Sequence, residues 1–134
     1  STENPPDEAH PPITGKKKYL QDAQRLAAAC YNRFFSHDSQ SGRKYKVLNR
    51  GDVWFTAIMF RGFVELYGID RNSLYIDAFR ENLDFAWTVM REKNGLFNDD
   101  WSGKTKNDSK WLLTQFAMVE MYARLASIDK ENNR

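Results

Sequence analysis

Among 134 residues there is one cysteine, Cys30, so no disulfide can form within the chain. The thiol falls on an apolar helical stripe, where it is expected to pack as a small hydrophobe. Histidine is almost as scarce. His10 and His37 are the whole supply, and with one cysteine they make no metal-ligand spacing. They also leave no Ser/His/Asp arrangement for nucleophilic catalysis, and no glycine-rich phosphate cradle occurs. Charge of one sign is lacking too: 20 basic residues against 18 acidic ones give +2. The one dense basic cluster, Lys16-Lys17-Lys18, reads as a solvated helix entry rather than the basic stripe of a nucleic-acid binder. No apolar run approaches the length of a membrane span.

All four prolines fall in Pro5-Pro6 and Pro11-Pro12. Residues 1–16 show no hydrophobic period and are expected to form a proline-rich arm or loop.

What the chain has is an alternation. Leu20, Ala23, Ala27, Cys30, Tyr31 and Phe34 recur at helical spacing with polar residues between them. The next segment is apolar almost all round, through Val53, Trp54, Phe55, Ala57, Ile58, Met59, Phe60, Phe63, Val64, Leu66 and Tyr67. A stripe returns through Tyr75, Ile76, Phe79, Leu83, Ala86, Trp87 and Met90. From Trp111 to Ala126 the pattern is again apolar nearly all round. A one-stripe helix sits at a surface, and an all-round helix is enclosed by neighbours. The fold class is therefore all-α: about four main helices in helix-hairpin repeats, alternately outer and inner, as in a two-layered ring or solenoid.

Helices are expected from about residue 17 to 35, from 52 to 67 with Gly68 as a C-terminal glycine cap, from about 73 to 92, and from 108 or 109 to about 127. Residues 17–128 form the helical domain, and 129–134 should fray. Tyr19-Leu20-Gln21-Asp22-Ala23-Gln24-Arg25 is echoed by Tyr75-Ile76-Asp77-Ala78-Phe79-Arg80, about 56 residues later with one residue dropped. An outer helix, a loop, an inner helix and a short turn are thus used twice. Helix-pair repeats bury their faces only by stacking. Two repeats leave open flanks for another part of a chain, or a second copy, to cover.

The loops entering the inner helices carry the residues with chemistry. Gly51-Asp52-Val53-Trp54-Phe55 is one cluster, Gly95 to Gly103 with Phe97, Asp99, Asp100 and Trp101 a second, and Lys110-Trp111 with Gln115 a third. Carboxylates accept bonds from sugar hydroxyls, and aromatic rings stack on the apolar faces of pyranoses. On that ground Asp52, Trp54, Phe55, Phe97, Asp100 and Trp101 are the candidate substrate-binding residues. Each has a plainer reading: Asp52 as a helix N-cap, Trp54 and Phe55 as core, Asp99-Asp100 as turn formers. A carboxylate pair is also glycosidase equipment when the groups lie roughly 5–9.5 Å apart.

Several motifs in order resemble glycoside hydrolase family 76. They are Tyr19-Leu20-Gln21-Asp22-Ala23, Gly51-Asp52, Phe60-Arg61-Gly62-Phe63, Asn82-Leu83-Asp84-Phe85-Ala86-Trp87, Asn94-Gly95-Leu96-Phe97 and Asp100-Trp101-Ser102-Gly103. The family comprises the endo-α-1,6-mannanases of bacteria and their fungal wall-remodelling relatives. The resemblance covers roughly residues 17–127 and is to the C-terminal part of the family's (α/α)6 toroid. It implies retaining hydrolysis of α-1,6-mannosidic bonds without a cofactor, a mannan-type glycan as partner, and an extracellular or cell-envelope setting. In the family the adjacent catalytic aspartates sit on an earlier helix, so neither role passes to Asp99 or Asp100. The region before Tyr19 and the Val53-Trp54 pair depart from the family pattern. The resemblance thus implies substrate contacts here, without the catalytic pair. The alternative is a non-catalytic helical module that binds glycan or a protein partner.

Overall fold

We describe the protein from a computed structural model, which covers residues 11–38, 42–49 and 51–133, with side chains from Gly15 onward. Among the described residues the α-helices are α1 (Pro11–Phe34), α2 (Val53–Asp70), α3 (Leu74–Phe85) and α4 (Leu112–Asn132). α3 continues through one π turn, Ala86–Met90. A two-residue hairpin pairs β1 (Phe35–Ser36) with β2 (Val47–Leu48), antiparallel, Phe35 opposite Leu48.

Some boundaries differ from the sequence pattern. α1 begins at Pro11, so residues 11–16 of the expected arm are helix. Proline is tolerated there because first-turn N–H groups have no intrahelical partner to lose. Residues 1–10 of that arm lie outside the described residues. Gly68 does not cap α2; the helix runs on to Asp70. Arg71, at φ 57°, takes the left-handed position and its N–H reaches the Tyr67 carbonyl at 2.9 Å. α4 starts at Leu112 and not at 108 or 109. Nor is the tail frayed from residue 129. The Arg80 guanidinium donates two bonds to Asp129, at 2.8 and 2.6 Å, and the Asn132 amide donates to the Tyr67 hydroxyl at 3.1 Å.

The core lies where both hairpins meet. Phe79 of α3 packs on Phe60 and Phe63 of α2, with ring centroids 4.6 and 5.8 Å away, and edge-on against Phe35 at 5.3 Å. Met118 and Met121 bring α4 into the same cluster. Of the stripe read on α3, Ile76, Phe79, Leu83, Ala86 and Met90 face in and Tyr75 is half-buried, but Trp87 is exposed, as are Asp77, Glu81 and Asp84. Among the described helices α2 and α4 make the most extensive contact, bridged by Arg61 and Glu120 at 2.8 and 2.9 Å.

The complete enclosure expected of the inner helices is not met. Leu112, Phe116 and Val119 on α4 are 69%, 62% and 60% exposed, and Ile58 on α2 is 49% exposed. An inner helix needs a neighbour on each flank, and four helices supply only one. No described helix is long and apolar enough to cross a membrane.

Candidate functional site

Two loops stand at the N-terminal ends of the inner helices, and side-chain amides hold both in place. The α1–α2 connection is fixed by Asn82 of α3, which is wholly buried. Its Oδ1 accepts the Leu48 N–H at 3.1 Å, and its Nδ2 donates to the Lys46 and Ala78 carbonyls at 3.0 and 2.9 Å. The α3–α4 loop is fixed in the same manner by Gln115 of α4. That amide accepts the Phe97 N–H at 2.7 Å and donates to the Phe97 carbonyl at 2.9 Å. Asn98 accepts the Asn107 N–H at 2.7 Å, and Asn107 in turn accepts the Asp99 N–H at 2.9 Å. A Lys110–Glu92 ion pair, 2.7 Å long, closes the loop base. Gly103, at φ 79°, has no room for a side chain: a Cβ would lie 2.7 Å from Val89 and 3.1 Å from Phe85.

Asp100 belongs to this scaffold. Its carboxylate accepts the Ser102 N–H and hydroxyl, at 2.9 and 2.7 Å, and the Thr105 N–H at 2.9 Å. Burial pushes its pKa up, but the bonds from Ser102 and Thr105 outweigh that and hold it below the ordinary aspartate value. It therefore stays charged near neutrality and shapes the turn.

Two adjoining clefts open along this edge. One, of about 420 Å³, lies between Ser36, His37, Asp38, Asn49 and Gly51 on one side and Asp99–Ser102 on the other. The second, of about 340 Å³, lies between Asp52 at the head of α2 and the Asn107–Trp111 approach to α4, with Phe97 and Thr114 in its walls. Asp99 lines both. The loops that enter the two inner helices thus share one rim. Among the described residues, no group of three or more His, Cys, Asp or Glu is placed to hold a metal ion.

The six residues read as candidates divide. Asp52 stands at the N-cap position of α2, but its side chain makes no capping bond, and it lines the second cleft. Asp100 and Trp101 line the first cleft, and Phe97 the second. Phe97 and Trp101 are only 7% and 4% exposed, so neither ring offers a face for stacking. Phe55 lines an apolar groove between α1 and α2 instead, against Phe34 at 5.5 Å, with Trp54 edge-on beside it at 6.1 Å. Part of the spread has a simple cause: Trp54 follows Asp52 by two positions, about 200° around a helix, so those two cannot share a face, and Asp52 itself is extended and stands before the first turn. Of the third cluster, Gln115 is a loop pin and Lys110 an ion-pair partner. Trp111, 62% exposed, is the indole that the rim presents. Asp99, read in the sequence only as half of a carboxylate pair or a turn former, also lines the second cleft, as do Asp108 and Thr114, which the sequence pattern did not single out as site residues.

Helix hairpins with inner helices abutting, and a polar rim at their N-terminal ends, define an α/α-toroid type of architecture. The comparisons with solved structures are specific. The chain matches a family 76 glycoside hydrolase from a bovine Bacteroides thetaiotaomicron strain at 35% identity and TM-score 0.78, over 87% of this chain and 26% of that one. It matches a family 76 glycoside hydrolase (mannosidase) from Bacteroides thetaiotaomicron VPI-5482 at 39% identity and TM-score 0.78, over 90% of this chain and 33% of that one. No protein-family profile and no curated protein matches it. Over the stretch it spans, the chain is similar to family 76 glycoside hydrolases in sequence and in fold, and its hairpins are part of an (α/α)6 type of toroid. That stretch is about a quarter to a third of the length of those two structures.

Proposed function

We propose that this chain is part of a glycoside hydrolase acting on α-1,6-linked mannan, and that it supplies substrate contacts but not the catalytic aspartate pair. The relationship to family 76, one of whose structures is described as a mannosidase, carries this reading. The acidic rim supports it. Asp52 and Asp100 stand on either side of Asp99 along the two clefts, where carboxylates meet sugar hydroxyls. Phe97 and Trp101 act from below, as the packed walls of those clefts. Asp100 is committed to its turn, which fits a positioning acid and not a proton donor.

The test is direct. The 134-residue chain is incubated with α-1,6-mannan and with soluble α-1,6-mannooligosaccharides, and both hydrolysis and binding are followed. Binding without hydrolysis is the expected result. Release of reducing ends would refute the claim that the catalytic pair is missing, and no binding of any mannooligosaccharide would refute the glycan reading.

A further inference from the structure

The second cleft holds a side chain that the fold leaves unused. Thr114 is 4% exposed. A buried hydroxyl ordinarily bonds to protein, in a helix most often to the carbonyl one turn back. Thr114 makes no such bond, while Thr56, its counterpart near the start of α2, donates to the Val53 carbonyl at 2.7 Å. The Thr114 hydroxyl is nonetheless not sealed inside the protein. What surface it keeps opens on the cleft that it lines.

Around that hydroxyl the cleft has the complement of one sugar ring. Trp111 offers an indole face at the mouth, 62% exposed. Asp52, Asp99 and Asp108 supply carboxylate acceptors along the sides, and Asp52 is not engaged in capping its helix. Gln115 and Asn107 fix the backbone of Phe97 and Asp99, so the walls are set before any ligand arrives. The volume, about 340 Å³, falls in the range of small-ligand sites.

We propose that this cleft is a single-pyranose subsite, in which Trp111 stacks on the sugar's apolar face, Thr114 hydrogen-bonds a ring hydroxyl from the floor, and Asp99 accepts from a hydroxyl at the junction with the first cleft. This rests on the glycan reading above and adds to it the residues that do the recognising. Asp99 bordering both clefts makes it the residue that a chain of two or more sugars would have to pass.

The experiment titrates α-1,6-mannotriose into the chain, wild type and variants, by NMR, following the tryptophan indole N–H signals. Thr114→Val keeps the shape and removes the hydroxyl. It should weaken binding about three- to tenfold, the range of one net hydrogen bond, with no loss of thermal stability, because no protein partner is stranded. Trp111→Ala should weaken binding about tenfold or more, also with the melting temperature kept. If wild type binds and both variants bind as well as it does, the subsite is wrong while the glycan reading stands. If wild type binds no mannooligosaccharide, both fall. A Thr114→Val variant that melts well below wild type would show the hydroxyl to be structural and would overturn its role here.

Discussion

Leu48 on β2 donates its backbone N–H to the side-chain Oδ1 of Asn82 at 3.1 Å, across 34 residues of chain. The amide of Asn82 stands in for the missing third strand of a two-strand hairpin, and so ties the α1–α2 loop to an outer helix. Gln115 repeats the device on Phe97. The rim is assembled by side-chain amides bonding loop backbones, Asn82 on the first loop and Gln115, Asn98 and Asn107 on the second.

Asn82→Leu keeps the volume of the side chain and removes both polar ends. The Leu48 N–H is then buried without a partner, at a cost of about 1–3 kcal/mol. Urea unfolding should show that loss as a lower midpoint with an unchanged slope. An unchanged midpoint would mean that the loop is held by something else.

Gly103 and Gly95 separate two reasons for glycine. Both have positive φ, 79° and 88°, but a Cβ on Gly95 meets nothing within 4 Å. Gly95→Ala should therefore cost only the left-handed penalty, about 1–2 kcal/mol. Gly103→Ala adds overlap with Val89 and Phe85, and overpacking costs about 1–3 kcal/mol more. Equal melting temperatures for the two variants would contradict the packing around the Asp100–Gly103 turn.

The acid limb of stability should depend on Glu120. Hydrogen bonds from Arg61 and then Arg124 pull its pKa down from 4.5 to about 2. A carboxylate depressed in the folded state stabilises fully above its unfolded pKa, and the contribution fades as pH falls from about 4.5 toward 2. Asp129, bonded to Arg80, and Glu92, bonded to Lys110, shift in the same direction. Melting temperature measured from about pH 5 down to pH 2 should fall less steeply for Glu120→Gln than for wild type. A parallel fall in both proteins would rule Glu120 out as a contributor.

The sequence made the helices legible because burial in a helix is periodic. The outer stripe on α3 from Ile76 to Met90 and the apolar run of α2 predicted the hairpin order correctly. What holds the rim was not legible, because a side-chain amide bonding a distant backbone leaves no period; nothing near Asn82 or Gln115 advertises Leu48 or Phe97. Thr114 was hidden by its neighbours, since Leu112, Leu113 and Phe116 make the segment read as core. The tryptophans were confused for a related reason. Trp101 sits in a polar, glycine-flanked loop and is buried, whereas Trp111 sits in an apolar run and is exposed. Composition around a residue reports on its segment, and exposure depends on what the fold lays over it. Phe116 and Val119 carry that point to the open flank of α4.

Those two tryptophans give the sharpest contrast in stability. Trp101 is 4% exposed, with the Arg43 guanidinium bonding its carbonyl at 3.4 Å. Truncating a buried indole costs about 3–5 kcal/mol, so Trp101→Ala should unfold well below wild type. Its indole N–H has no partner in the protein, alone among the buried side-chain polar atoms of the described residues. The ring's value there is therefore its volume, and Trp101→Phe should recover a large part of the loss. Trp111, 62% exposed, should tolerate Trp111→Ala within about 0.5 kcal/mol, as surface substitutions do. Thermal unfolding of the three variants side by side decides the matter. A Trp111→Ala variant as unstable as Trp101→Ala would place both rings in the core, and the rim would then have no stacking face to offer.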